Sequence, residues 1–135
     1  MKLLNLDHVA IAVADLDDAV AEYARQYGVA PLYREVVAEQ GVEEAMIPVG
    51  GSFVQLLQPL SEETPVGRFL VKNGPGLHHV AYAVPSIGDA LAHLKEEGVR
   101  LIDESPRIGG RGARIAFVHP KELAGTLIEL VELDE

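Results

Sequence analysis

No cysteine occurs among the 135 residues, which excludes both a disulfide framework and a thiolate metal site. No apolar run approaches the roughly 18 residues that a membrane-spanning helix needs. Met1-Lys2-Leu3-Leu4-Asn5 passes directly into a strand pattern, with no apolar signal-peptide core. Basic residues are scarce: 11 Lys and Arg face 21 Asp and Glu, a net charge of −10. Nucleic-acid backbones are bound through basic surface, so this balance excludes them as partners. These absences lead us to expect a cytoplasmic protein that binds neither membrane nor nucleic acid. Apolar residues make up 48% of the chain and charges of both signs are interspersed. Disorder is thereby excluded, and a single domain over 1–135 with its own core is expected.

The chain is built around a stretch that occurs twice. Gly76-Leu77-His78-His79-Val80-Ala81-Tyr82-Ala83-Val84 echoes Leu6-Asp7-His8-Val9-Ala10-Ile11-Ala12-Val13. An ungapped match of 6–21 with 77–92 has nine identities in sixteen positions, His8 with His79 among them. A second echo closes each half: Phe53-Val54-Gln55-Leu56-Leu57 matches Leu127-Ile128-Glu129-Leu130-Val131, setting Gln55 against Glu129. Self-similarity of this kind fixes the architecture before any local reading does.

Alternation over 4–13 predicts a strand, with Leu6, His8, Ala10 and Ala12 on one face. Asp15 caps a helix that carries Leu16, Ala19, Val20, Tyr23 and Tyr27 on one stripe and stops at Gly28. Strands follow at 32–38, 42–48 and 52–58, the last two joined by a Gly50-Gly51 hairpin. Residues 59–75 connect the halves and hold a short helix from Pro65. The second half repeats the order: a strand at 77–84, a helix from Ser86 to Gly98, and strands at 99–104, 113–118 and 126–132. Ile108-Gly109-Gly110-Arg111-Gly112 reads as a hairpin loop, and its glycines do not follow a phosphate-binding order. The predicted class is α+β: two tandem βαβββ units (about 4–58 and 76–133) forming curled sheets around a cleft, with helices outside.

On that arrangement His8 and His79 point inward from the first strands, and Gln55 and Glu129 from the last. Ala10, Ala12, Ala81 and Ala83 on the same face are poor core-fillers and leave room for a ligand. Two imidazoles, an amide oxygen and a carboxylate form a mixed N/O set that suits Co²⁺, Mn²⁺, Ni²⁺, Fe²⁺ or Zn²⁺ with positions left open. A lone His at a strand start is usually structural. Recurrence at one register, each time beside an oxygen donor, makes His8 and His79 candidate ligands. His78 falls on the opposite face, His93 on the exposed side of a helix and His119 in a loop; none is assigned to the metal. Of Glu43 and Glu44, adjacent on the third strand, only one faces inward, and alternation alone does not choose between them. A glutamate in a desolvated cleft would serve as a base. Arg107, Arg111, Arg114 and Lys121 form a basic segment with no acidic residue among them, a candidate site for an anionic group.

Several runs together resemble one family. They are Leu6-Asp7-His8-Val9-Ala10, Glu39-Gln40-Gly41-Val42-Glu43-Glu44, Val54-Gln55-Leu56-Leu57-Gln58-Pro59-Leu60, Gly76-Leu77-His78-His79-Val80-Ala81 and Phe117-Val118-His119-Pro120-Lys121 with Leu127-Ile128-Glu129-Leu130. Over essentially its whole length the chain resembles the methylmalonyl-CoA epimerases of the vicinal-oxygen-chelate (glyoxalase-like) superfamily. The resemblance implies His8, Gln55, His79 and Glu129 as metal ligands, a divalent ion that the family favours as cobalt, and a homodimer. It selects Glu44 as the catalytic glutamate and leaves Glu43 pointing away. The implied reaction interconverts the two epimers of methylmalonyl-CoA by removing the α-proton, with the enolate charge carried by the metal. Glu129 is then the candidate for the opposite face, and the basic segment would hold the coenzyme A phosphates. A glyoxalase I-type lyase acting on a glutathione adduct, an extradiol dioxygenase and a metal-free binding protein share the fold; retention of all four ligands argues against the last. Replacing Arg111 or Arg114 is expected to raise KM for the acyl-CoA more than it lowers kcat, as steady-state kinetics would show.

Overall fold

A computed structural model describes residues 1–133 as two compact units: His8–His78, and Met1–Asp7 with the chain from His79 onward. The class is α+β, a βαβββ unit twice over. Among the described residues no helix is long and apolar enough to cross a membrane.

In the His8–His78 unit the strands are β1 (Asn5–Ala12), β2 (Tyr33–Val37), β3 (Val42–Val49) and β4 (Ser52–Pro59), ordered β2-β3-β4-β1. β3 and β4 form the expected hairpin, turning at Gly50 with φ 58°. β1 runs parallel to β4, which requires a crossover, and α1 (Leu16–Tyr27) begins it. Asp15 caps α1 by accepting from the Asp18 N–H, and Gly28 ends it in the left-handed conformation. The apolar stripe of α1 (Leu16, Ala19, Val20 and Tyr23) packs on Ala45, Ile47 and Leu56, one face of the sheet. The opposite face carries Ala10, Ala12, Val42 and Leu57. There α2 (Pro65–Asn73), capped by the Thr64 hydroxyl, lays Val66, Phe69 and Leu70 over them. The space beside Ala10 and Ala12 is therefore taken up by this helix rather than left for a ligand.

The second unit repeats the plan with β5 (Gly76–Ala83), α3 (Ile87–Glu96), β6 (Arg107–Ile108), β7 (Arg114–Val118) and β8 (Ile128–Glu132), ordered β5-β8-β7-β6. α3 covers Ala116, Val118 and Leu130 through Ile87, Ala90 and Leu91. One expectation is corrected here. The strand expected at 99–104 shrinks to a single bridge, Leu101 with Val118, and the strand beside β7 is the two-residue β6. The Asp103 carboxylate accepts the Phe117 N–H at 2.9 Å where a strand carbonyl would. Pro106, with no N–H to give, separates that point from β6.

The two units share one register. Ala10 pairs with Gln55 in β1–β4, and Ala81 pairs with Glu129 in β5–β8. They also share a helix-anchoring device that local sequence does not reveal. Gln58, three residues past Gln55, accepts the Leu16 N–H of α1 through Oε1 at 2.7 Å. Glu132, three past Glu129, accepts the Ile87 N–H of α3 at 2.7 Å. Each last strand thus fills a free donor at the helix start. The Ile87 N–H, followed by the Arg114 guanidinium, holds the Glu132 carboxyl below its ordinary range against the opposing effect of burial. A depressed pKa stabilises the fold above the unfolded glutamate value, and that contribution is lost as pH falls through the folded value. Glu132→Gln, which mimics the protonated state, is expected to melt about 3 °C below wild type at neutral pH. The gap should close below the ordinary glutamate range in thermal melts run across pH.

Candidate metal centre

The inner face of the His8–His78 unit follows from register. β3 pairs with β4 as Met46–Gln55 and Glu44–Leu57, and β1 with β4 as His8–Phe53 and Ala10–Gln55. Paired residues share a face, so His8, Glu44, Met46 and Gln55 lie together on the side away from α1. His8, Glu44 and Gln55 are all buried, Glu44 with 1% of its surface exposed. Glu43 points to the other side, where Arg34 joins it to Asp17 of α1. Register thus places Glu44 and Glu43 on the faces that the resemblance implied.

Gln55 Nε2 donates to Glu44 Oε1 at 3.0 Å, and the Tyr33 hydroxyl donates to Glu44 Oε2 at 3.2 Å. The first bond fixes the amide orientation, since the reversed one would set the Gln55 oxygen against a carboxylate oxygen. Gln55 Oε1 is consequently buried with no hydrogen-bond partner. A buried carbonyl oxygen in that state costs about 1–3 kcal/mol unless something electropositive meets it, and a cation satisfies it. Burial above all, then the cross-strand Glu35, raises the Glu44 pKa; Tyr33, Gln55 and His8 oppose that rise. The result is a carboxylate more basic than a solvated one.

The second unit presents the matching pair. His79 Nε2 stands 3.2 Å from Glu129 Oε1, both residues buried. Two such lone-pair atoms repel unless a proton or a metal ion lies between them. Ligand bonds of about 2.1 Å at tetrahedral or octahedral angles put neighbouring donors about 3.0–3.4 Å apart, so the spacing fits a shared ion. Phe117, opposite Glu129 in β7, packs its ring perpendicular to that of His79, with centroids 5.4 Å apart and planes at 89°. Arg107 lies over the Phe117 ring at 5.7 Å and pairs with Asp103 at 3.0 Å. Each half thus holds one buried imidazole and one buried oxygen donor, His8 with Gln55 and His79 with Glu129, donor types that divalent metals accept.

The other histidines sit as expected. His78 is half-buried against the Phe69 ring, His93 is exposed, and His119 Nδ1 accepts the Lys121 N–H at 3.1 Å. The basic segment is less positive than it reads along the chain. Arg107 holds Asp103, Arg111 holds the buried Asp7 at 2.7 Å, and Arg114 holds Glu132. Among the described residues no carboxylate pairs with Lys121. Sequence reasoning missed Tyr33, Asp7, Asp103 and Phe117 as neighbours of the site or of this segment. Only the β2–β3 register, Tyr33 with Met46, could have pointed to Tyr33.

Residues 7–117 match the Glyoxalase/Bleomycin resistance protein/Dioxygenase superfamily. An ethylmalonyl-CoA/methylmalonyl-CoA epimerase of Cereibacter sphaeroides is 38% identical over 96% of this chain and 98% of its own length. The human mitochondrial methylmalonyl-CoA epimerase is 37% identical over 93% of this chain and 72% of its own. Among solved structures, a variant of the Streptomyces coelicolor methylmalonyl-CoA epimerase in complex with 2-nitronate-propionyl-CoA superimposes with a TM-score of 0.94. It is 41% identical and covers 98% of this chain and 96% of that one. The chain belongs to the glyoxalase superfamily.

If His79 is a ligand, His79→Ala is expected to weaken Co²⁺ binding about 100-fold or more in isothermal titration, while His93→Ala leaves it unchanged.

Proposed function

We propose that this protein is a metal-dependent epimerase of methylmalonyl-CoA. The observation that carries the reading is the buried Glu44 carboxylate, made more basic by desolvation and held 3.0 Å from the amide of Gln55. Gln55 Oε1 in turn is free to meet a cation. Epimerases of this substrate at 37–41% identity over nearly the whole chain support the same reading.

In this proposal His8, Gln55, His79 and Glu129 hold one divalent ion. Its bound form supplies Lewis acidity to the oxygens flanking the carbon that loses its proton. Cobalt is our choice of ion, and the donor set also accepts Mn²⁺, Ni²⁺ or Zn²⁺. Glu44 removes the α-proton on one face. The buried inner face, lined by Met46 and Ala10, keeps water from that carboxylate and so preserves its basicity. Inversion needs a proton delivered on the opposite face of the planar anion, and Glu129 is our candidate for that second carboxylate.

The coenzyme A phosphates need cationic contacts, which we assign to the segment Arg107, Arg111, Arg114 and Lys121. Lys121 binds a phosphate without giving up a carboxylate, whereas the three arginines share their guanidinium groups with Asp103, Asp7 and Glu132. A cytoplasmic homodimer completes the proposal.

The test is proton NMR of racemic methylmalonyl-CoA in D₂O with Co²⁺-loaded protein and a chelated control. Fast metal-dependent loss of the α-proton signal is expected, and Glu44→Ala should slow it about 10³-fold. Fully metallated protein that exchanges no α-proton would sink the proposal, and the glutathione-adduct lyase assay would follow.

A further inference from the structure

Glu44 is tethered at both oxygens, and the two tethers are not equivalent. Gln55 holds Oε1, but in the proposed site its own orientation also answers to the metal. Tyr33, the donor to Oε2, comes from a different strand. β2 sets Tyr33 opposite Met46, two residues from the Glu44 position and on the same face. Such diagonal neighbours across an antiparallel pair lie about 7–8 Å apart, within reach of a tyrosine. A carboxylate fixed at one oxygen still turns about its last torsion, which is broad and two-fold. A donor on the second oxygen removes that freedom and sets the plane of the lone pairs that accept a proton. The device is not a general part of the repeat. The pairs Met46–Gln55 and Phe117–Glu129 align Glu44 with Ile115, so the second half has no carboxylate at that position.

We propose that Tyr33 is a positioning residue for the proton-accepting carboxylate: its hydroxyl fixes the plane of Glu44 against the substrate α-carbon. This rests on the reading of Glu44 as the base. Misorientation of a reacting group costs rate rather than affinity, and that separates this role from a structural one.

The experiment uses the full chain loaded with Co²⁺, methylmalonyl-CoA as substrate and α-proton exchange in D₂O. Tyr33→Phe is expected to lower kcat about 10-fold. KM should stay within about twofold, and Co²⁺ affinity by isothermal titration should stay at the wild-type value. In a Glu44→Gln background the same substitution should have no further effect on the residual rate, because the two residues act as one unit. Full kcat in Tyr33→Phe would overturn the proposal. So would an equal fold loss in both backgrounds, or a loss that follows metal affinity. If Glu44→Gln leaves no measurable rate, the split between KM and kcat at unchanged metal affinity decides. Wild-type protein that fails to exchange the proton overturns the epimerase reading instead, so the two failures are told apart.

Discussion

The register of two parallel strand pairs is the constraint from which the rest follows. Ala10 opposite Gln55 and Ala81 opposite Glu129 are the same pairing in each half. Side chains alternate with period two, so a slip of one residue would turn every donor to the helix face. The helices guard against that slip. Gln58 and Glu132 lie three residues beyond the donors, hence on the opposite face, and each accepts the first N–H of its own helix. One register therefore aims the donors to one side and anchors the helix on the other.

The halves then diverge where chemistry requires it. The first combines an amide oxygen with the buried Glu44; the second combines a carboxylate with Ile115 at the corresponding place. Burying a carboxylate is costly unless it is hydrogen-bonded, and Glu44 keeps a donor on each oxygen. Two neutral donors limit the desolvation cost without adding a positive charge that would quench its basicity. Glu35, opposite Glu44 on β2, pushes in the same direction as burial. Burial and Glu35 together leave Glu44 more basic than a solvated carboxylate.

Charge along the chain and charge in the fold differ in the 107–121 segment. Four cations with no acidic residue among them look like an anion site, yet Asp103, four positions before Arg107, and the distant Asp7 and Glu132 pair with three of them. Arg111 adopts φ 61° within its glycine-rich loop while it holds Asp7. The ion pair helps to hold that loop, so these arginines serve the fold whatever else they bind. Pairing over 104 residues leaves no local trace in the sequence.

The sequence by itself determined the repeat, the helix cap at Asp15 and the candidate donors His8, Gln55, His79 and Glu129. All of these depend on periodicity or on residues only a few positions apart. It left the choice between Glu43 and Glu44 to resemblance, because alternation gives two faces without saying which is inward. Tertiary structure decided that choice through the Met46–Gln55 register and the Arg34–Asp17 contact behind Glu43. It also replaced the strand expected at 99–104 by a bridge and a side-chain hydrogen bond from Asp103, and packed α2 over alanines that had looked like ligand space. Tyr33 came into view only in the fold. Its bond to Glu44 crosses from one strand to the next, and the register between strands is a property of the assembled sheet rather than of either segment alone.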